Sequence, residues 1–467
     1  MSNQYDLLII GAGVSGSALL YLTTKYTDIQ HIGVIEKYSA PARVNSLSSN
    51  NSQTLHCGDI ETNYTLEKAL KVKRAASMLR NYAVAQADAH HIIFKYSKMV
   101  LGVGAKECEL LRERFKIFSP HYPHLKLLDK KAIARIEPNV AMKEDKFRDD
   151  EIIALGSTDE YTAVNFEALS RSFVRQAEIE AAKHSEKTID MHYNEYVDHI
   201  KIDKNGFIVE TDGVCYRAKS LVVCAGGHSL KLAHDMGYGH HYSVLPIAGS
   251  YYFTPHVLNG KVYTVQNDAL PFAAIHGDPD VLVPGATRFG PTALVLPILE
   301  RYNLKTLPDF LQVFRFDGRV AKVLWDLLKV ADIRNYMFKN MLFEIPVIRK
   351  ILFLKDVRKI IPSLKLKDLK FANKVGGIRP QLIDKDHCKL LMGEAKIDTG
   401  IGGIFNMTPS PGGTSCIENA EIDMRSVVRH LGATIDETAL QKDLLGDDVQ
   451  HDTNDFAGVV ISGDNAY

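Results

Sequence analysis

Residues 5–36 constrain this chain more than any other stretch. Tyr5-Asp-Leu-Leu-Ile-Ile10 is an apolar run of strand length that leads directly into Gly11-Ala12-Gly13-Val14-Ser15-Gly16, and an apolar helical segment continues to about Lys25. His31-Ile-Gly-Val-Ile35 predicts a second strand with Glu36 at its end. Strand, glycine-rich turn, helix, strand and terminal acid are the parts of a βαβ dinucleotide-binding unit. Gly11 permits the tight turn, Gly13 lets the backbone approach a pyrophosphate, and Gly16 lets helix and strand pack closely. The helix N-terminus then faces the phosphates, and Glu36 can accept a hydrogen bond from a ribose hydroxyl.

A chain of 467 residues with 46% apolar content can bury a large core and is expected to form two domains or more. Its 56 Lys and Arg balance 56 Asp and Glu, so nothing in the net charge suggests a nucleic-acid partner. Six cysteines without a C-x-x-C pair fit a reducing compartment and argue against a disulfide frame or a metal site. The fingerprint begins at Tyr5, which leaves no room for a signal peptide. No apolar stretch approaches the roughly eighteen residues of a membrane span. The expectation is a cytoplasmic protein, soluble or peripheral on a membrane.

Three further stretches offer backbone to a ligand. Ser46-Leu-Ser-Ser-Asn-Asn-Ser-Gln-Thr-Leu-His-Cys-Gly58 is too rich in turn formers for a regular element and can present hydroxyls, amides and N–H groups. Ser220-Leu-Val-Val-Cys-Ala-Gly-Gly-His-Ser229 reads as a buried strand that ends in small residues. Asn406-Met-Thr-Pro-Ser-Pro-Gly-Gly-Thr-Ser415 leads into a last helix ending near Gly432, so N–H groups at a helix start again meet an anion. Between these lie a helix capped by Thr65, a helix from Phe166 capped by Asn165, and two strands, Tyr196–Ile202 and Gly206–Thr211, joined by a turn. Residues 242–304 are β-rich. Residues 315–374 are helical in pattern with 15 Lys and Arg against 6 Asp and Glu, and the tail after Thr434 is acidic.

Four backbone-approach sites on one chain suit a long ligand such as FAD. The chain resembles flavoproteins of the glutathione-reductase/D-amino-acid-oxidase structural class. Within it the chain is similar to the malate:quinone oxidoreductases, especially their shorter bacterial form. The resemblance rests on Asp6–Gly16, Asn51–His56, Gly58–Thr65, Gly260–Asn267, Leu270–Asp280, Arg288–Ala293, Ile378–Gln381 and Phe405–Gly412, and spans about Tyr5 to Gly432. Several of these blocks are shared more loosely with 2-hydroxyglutarate dehydrogenases.

The resemblance implies an α/β fold, with a Rossmann-type FAD-binding domain, a discontinuous β-rich substrate domain and a helical cap. The expected boundaries are 1–89, 142–241 and 372–433 for the FAD domain, 90–141 and 242–371 for the substrate and cap domain, and 434–467 for the tail. It implies oxidation of (S)-malate to oxaloacetate, with the hydride passing to FAD and the electrons to membrane quinone. The alternatives are another 2-hydroxy acid (L-2-hydroxyglutarate or lactate), an amine or amino-acid oxidase of the same superfamily, and a flavin-binding module without turnover. Cofactor contacts are expected from Gly11, Ala12, Gly13, Ser15, Gly16, Glu36, Lys37, Asn51, Ser52, Gln53, Val197, Ala225, Gly226, Gly377, Pro411, Gly412, Gly413 and Thr414.

A base for the hydroxyl proton should be a histidine tunable near neutral pH. His276, in the Phe-Ala-Ala-Ile-His-Gly-Asp-Pro-Asp stretch, is the first candidate and His56 the second. Two substrate carboxylates call for arginine forks, and Arg288 and Arg379 stand in glycine- and proline-bounded motifs suited to that role. Since quinones dissolve in the bilayer, the basic helical region is expected to dock on the inner face of the cell membrane. Trp325, Leu327, Leu328, Phe338, Phe353 and Leu354 would supply its apolar contacts.

Overall fold

The computed structural model describes residues 3–266, 275–343, 345–346, 348–391, 393–407, 411–446 and 459–462. The first half of the Leu270–Asp280 motif, residues 408–410 of the last glycine motif and most of the acidic tail lie outside the described residues.

The opening strand, Gln4–Ile10, is the centre of a sheet whose first five strands are parallel. His31–Glu36 and then Thr188–Tyr193 lie on one side of it, and Cys215–Val223 and Gly403–Met407 on the other. Its side chains divide by alternation: Leu7 and Ile9 enter one core, Leu8 and Ile10 the other. That double burial is why the strand reads as an uninterrupted apolar run. Helices Val14–Tyr26, Phe166–Ala181 and Cys416–Leu431 pack on the first face. The hairpin Val197–Asp203 and Gly206–Thr211, with the short helix Ser229–Asp235, packs on the second.

Local chemistry sets the helix starts. Thr65 accepts from the Lys68 N–H at the head of Leu66–Val84, and Asn165 from the Ala168 N–H at the head of Phe166–Ala181. The last helix starts later than its glycines predict. Pro411–Ser415 is a turn, Ser415 is the capping residue and the helix runs Cys416–Leu431, closing on Gly432 in the left-handed region.

The second unit is built on an eight-stranded mixed sheet containing Lys98–Val103, Ile152–Ser157, Lys261–Thr264, His276–Pro279 and Ala286–Gly290. Strand pairing moves the expected boundaries. Ile152–Ser157 pairs with Lys98–Val103, so the chain stays in this unit past residue 141. Ile378–Asp384 pairs along its length with Tyr242–Ala248, so residues 378–391 run in the β-rich part rather than in the nucleotide sheet.

The basic helical region forms Gly318–Lys329, Ala331–Leu342 and Arg349–Val357. Trp325 and Phe338 are exposed as expected, but Phe353 and Leu354 are buried. The Phe353 ring stacks on Tyr252 at 3.9 Å, so this helix spends its apolar face on the sheet beneath it.

Gly16 supplies the first prediction. A Cβ there would lie 1.9 Å from the Gly11 carbonyl oxygen. Gly16→Ala should therefore lower stability by about 1–3 kcal/mol or more, read as a fall in the thermal unfolding midpoint. An unchanged midpoint would show that the helix can move away from the turn at no cost.

Candidate active site

An open cleft runs between the sheet ends of the two units. Its lining draws on the glycine turn, the polar loop, several strand ends and the turn before the last helix, which suits an elongated ligand. Its nucleotide end is built by the fingerprint. Gly11 has φ +99°, and a Cβ on it would lie 2.6 Å from the Cys224 carbonyl oxygen, so only glycine turns here against the strand end. Gly11, Gly13 and Ser15 line the cleft. Ala12 and Gly16 do not: Ala12 is fully buried, and Gly16 packs against the turn.

Glu36 lines the cleft, and its oxygens accept from the Ala12 N–H (2.8 Å) and the Tyr38 N–H (2.9 Å). Burial pushes its carboxyl up, and these two N–H bonds pull the other way. Lys37 lines the same end and is ion-paired with Glu300, which also accepts from the Tyr38 hydroxyl at 2.6 Å. Val197, Ala225 and Gly226 form the adjoining wall.

The polar loop is anchored at several points. Ser46 Oγ accepts from the Val14 N–H at 2.9 Å, at the head of the first helix. Asn45 bonds both the carbonyl (2.9 Å) and the N–H (3.1 Å) of Ile378, which fixes the loop to the strand that carries Arg379. Gly377 makes that approach possible, since a Cβ there would lie 2.6 Å from the Asn50 carbonyl. Asn51 and Ser52 line the cleft. Gln53 is fully buried instead and braces the loop, donating to the Ser48 carbonyl and accepting from the Val281 N–H.

At the far end the cleft is lined by His56, Arg379, Tyr251, Gly377 and the turn Pro411, Gly412, Gly413 and Thr414. The His56 N–H donates to Thr414 Oγ1 at 3.0 Å, which ties the histidine to the head of the last helix. Its Nδ1 stands 2.7 Å from Glu61 Oε1. Burial pushes the Glu61 carboxyl up, but the bond to His56 and the charge of Lys98 outweigh it and hold the group below its ordinary value. An ionised Glu61 accepts from Nδ1–H, which leaves Nε2 as the lone-pair nitrogen. The Arg379 side chain makes no hydrogen bond or ion pair with the described residues, while its backbone pairs with Ile247 in the ladder.

The other two candidates lie behind this wall. His276 is buried, with its ring stacked on Tyr263 at 4.2 Å and Nε2 3.2 Å from Asp278 Oδ2, and it is not among the cleft-lining residues. Arg288 is also buried and outside the lining, with its guanidinium against the face of Tyr251. Glu61 and Tyr251 were not singled out from the sequence. Glu61 stands in the quoted Gly58–Thr65 block, and its spacing from His56 was the available signal. Tyr251 had none.

The family model described as malate:quinone oxidoreductase (Mqo) matches residues 3–424. The chain belongs to this family. A probable malate:quinone oxidoreductase of Campylobacter jejuni subsp. jejuni is 48% identical over 453 residues, which is 95% of this chain and 100% of that relative. Among solved structures, glycine oxidase from Geobacillus kaustophilus aligns with TM-score 0.62 at 14% identity, covering 91% of this chain and 95% of that one. L-α-glycerophosphate oxidase from Mycoplasma pneumoniae, solved with FAD bound, aligns with TM-score 0.58 at 18% identity over 92% and 96% of the two chains. These two share the fold with this member of the malate:quinone oxidoreductase family. The α/β, Rossmann-type class expected from residues 5–36 is the class observed.

Proposed function

We propose that the protein oxidises (S)-malate to oxaloacetate, using FAD as the hydride acceptor and a quinone as the final electron acceptor. Family membership supports the reaction, and one observation carries it at the site: His56 and Arg379, whose side chain has no partner among the described residues, both line the cleft that Pro411–Thr414 also lines.

The residues fit FAD. Gly11, Gly13 and Ser15 leave backbone open to a pyrophosphate, and Glu36 offers its remaining lone pairs to a ribose. Val197, Ala225 and Gly226 form the wall beside that end, with Lys37 at its rim. Asn51, Ser52, Gly377 and Pro411–Thr414 line the rest, and the positive end of Cys416–Leu431 favours negative charge there. FAD, when bound, accepts the C2 hydride and passes the electrons to the quinone. His56 Nε2 takes the hydroxyl proton, Glu61 holds the ring in the required tautomer and supports the imidazolium, and the Thr414 bond fixes the distance to the helix head. Arg379 takes one substrate carboxylate through its fork. His56 therefore replaces His276 as the leading base in this reading, since His276 is stacked on Tyr263 and paired with Asp278 outside the lining.

Attachment to the inner face of the cell membrane is part of the same proposal. No helix among the described residues is long and apolar enough to cross a membrane. Phe316 (66%), Trp325 (61%), Phe338 (59%), Met341 (55%) and Ile351 (57%) are exposed along a region with 15 basic and 6 acidic residues. Apolar insertion together with about 1 kcal/mol per basic residue near an anionic surface would hold the protein there.

His56→Asn should lower the limiting rate of malate-dependent flavin bleaching by about 10²–10⁴ while FAD stays bound. Arg379→Lys should mainly weaken the apparent affinity for malate, because a point charge lacks the fork. Stopped-flow traces against malate concentration separate the two. A normal limiting rate in His56→Asn removes it as the base, and normal affinity in Arg379→Lys removes the arginine from the carboxylate site. Replacing Trp325 and Phe338 together by Glu should abolish salt-sensitive sedimentation with anionic vesicles and leave bleaching by malate intact. Undiminished sedimentation would assign membrane attachment to another surface.

A further inference from the structure

Arg288 stands on the strand Ala286–Gly290 and is only 1% exposed. None of its three guanidinium nitrogens makes a hydrogen bond with the described residues. The neighbouring carboxylate, Asp280 Oδ2, lies 3.4 Å from Nη1, and the other oxygen of Asp280 accepts from the Leu282 and Val283 N–H groups at 2.8 and 3.0 Å. Buried charged groups ordinarily fill their hydrogen-bonding positions, because leaving them empty is costly. Arg288 thus meets one carboxylate at 3.4 Å and leaves its guanidinium donors without a hydrogen bond behind the wall of the cleft.

The face of this guanidinium is closed by Tyr251, whose ring centroid is 4.6 Å from the Arg288 Cζ. Tyr251 also lines the cleft, as Arg379 does. Burial pushes its phenol up, while the charges of Arg288 and Arg379 both pull it down, so the one ring feels both guanidiniums. No hydrogen bond with the described residues fixes its hydroxyl. The ring edge rests on the bare α-carbon of Gly290, where a Cβ would lie 2.7 Å from Tyr251 Cδ1. Packing and a cation–π contact hold the ring, and such a contact is weaker than a bidentate, charge-assisted pair with a carboxylate.

We propose that Tyr251 is a movable cover over a latent carboxylate site at Arg288, and that the cleft grips a dicarboxylate with Arg379 at one end and Arg288 at the other. The inference rests on the malate reading above and specifies how it selects substrate. A second carboxylate displaces the ring and fills the fork. A monocarboxylic 2-hydroxy acid such as lactate leaves the fork empty, so the site discriminates by the group the substrate lacks.

The test uses FAD-loaded protein and two ligands that cannot be oxidised at a hydroxyl, succinate and butyrate, with binding followed by flavin spectral perturbation and by thermal shift. The natural chain should bind succinate about 10–100-fold more tightly than butyrate, the worth of one charge-assisted pair. In Arg288→Met that preference should fall toward equality. In Tyr251→Ala, where no ring need be displaced, succinate should bind more tightly than in the natural chain while butyrate changes little. The second variant keeps the test alive should Arg288→Met fail to fold. The proposal is overturned if Arg288→Met keeps the full preference, or if Tyr251→Ala weakens both ligands equally. Bleaching by malate in the natural chain distinguishes the two levels: its absence removes the malate reading itself. Its presence with the preference intact in Arg288→Met removes only the role of Arg288 and Tyr251.

Discussion

Everything at the site depends on how closely a helix can approach a strand in the first sixteen residues. The α-carbon of Gly16 sits where a side-chain carbon would fall 1.9 Å from the Gly11 carbonyl, and Gly11 in turn presses on the end of the neighbouring strand at Cys224. These contacts pull the first helix, the central strand and the strand Cys215–Val223 into one tight junction. The cleft begins there, and its depth follows from the missing side chains. The polar loop is then hung between that junction, through Ser46 and Val14, and the strand of Arg379, through Asn45 and Ile378. His56 inherits its place from the same loop and from Thr414.

Charge follows a contrast between closed and open pairs. Lys98 and Asp59 are both buried and meet at 2.8 Å, and buried Lys261 reaches Asp278 at 3.1 Å. These ion pairs are closed within the protein and hold loops and strands together. The side chains of half-buried Arg379 and buried Arg288 differ: neither makes a hydrogen bond with the described residues, and Arg288 meets Asp280 only at 3.4 Å. On the reading proposed above, these free donors are where an anionic substrate binds.

Much of this was legible in the sequence, for physical reasons. The nucleotide sheet could be read because its strands are buried on both faces and its glycines have fixed spacing. Thr65 and Asn165 could be read as caps because their side chains compete for free N–H groups. The boundaries at 141 and 372 could not be read, since pairing of Ile152–Ser157 and Ile378–Asp384 with distant strands leaves no local signal. Phe353 and Trp325 look alike in a basic amphipathic stretch, and only packing on Tyr252 separates the buried ring from the exposed one. His276 and His56 present the same difficulty: each stands beside an acid, and only the fold shows that His56 lines the cleft.

The most direct measurement is anaerobic mixing of FAD-loaded protein with L-malate carrying deuterium at C2, compared with ordinary L-malate, while the flavin absorbance is followed. Bleaching is expected with both, slower with the deuterated substrate, because the C2–H bond breaks as the flavin is reduced. A flavin that stays oxidised in the presence of saturating malate would contradict it.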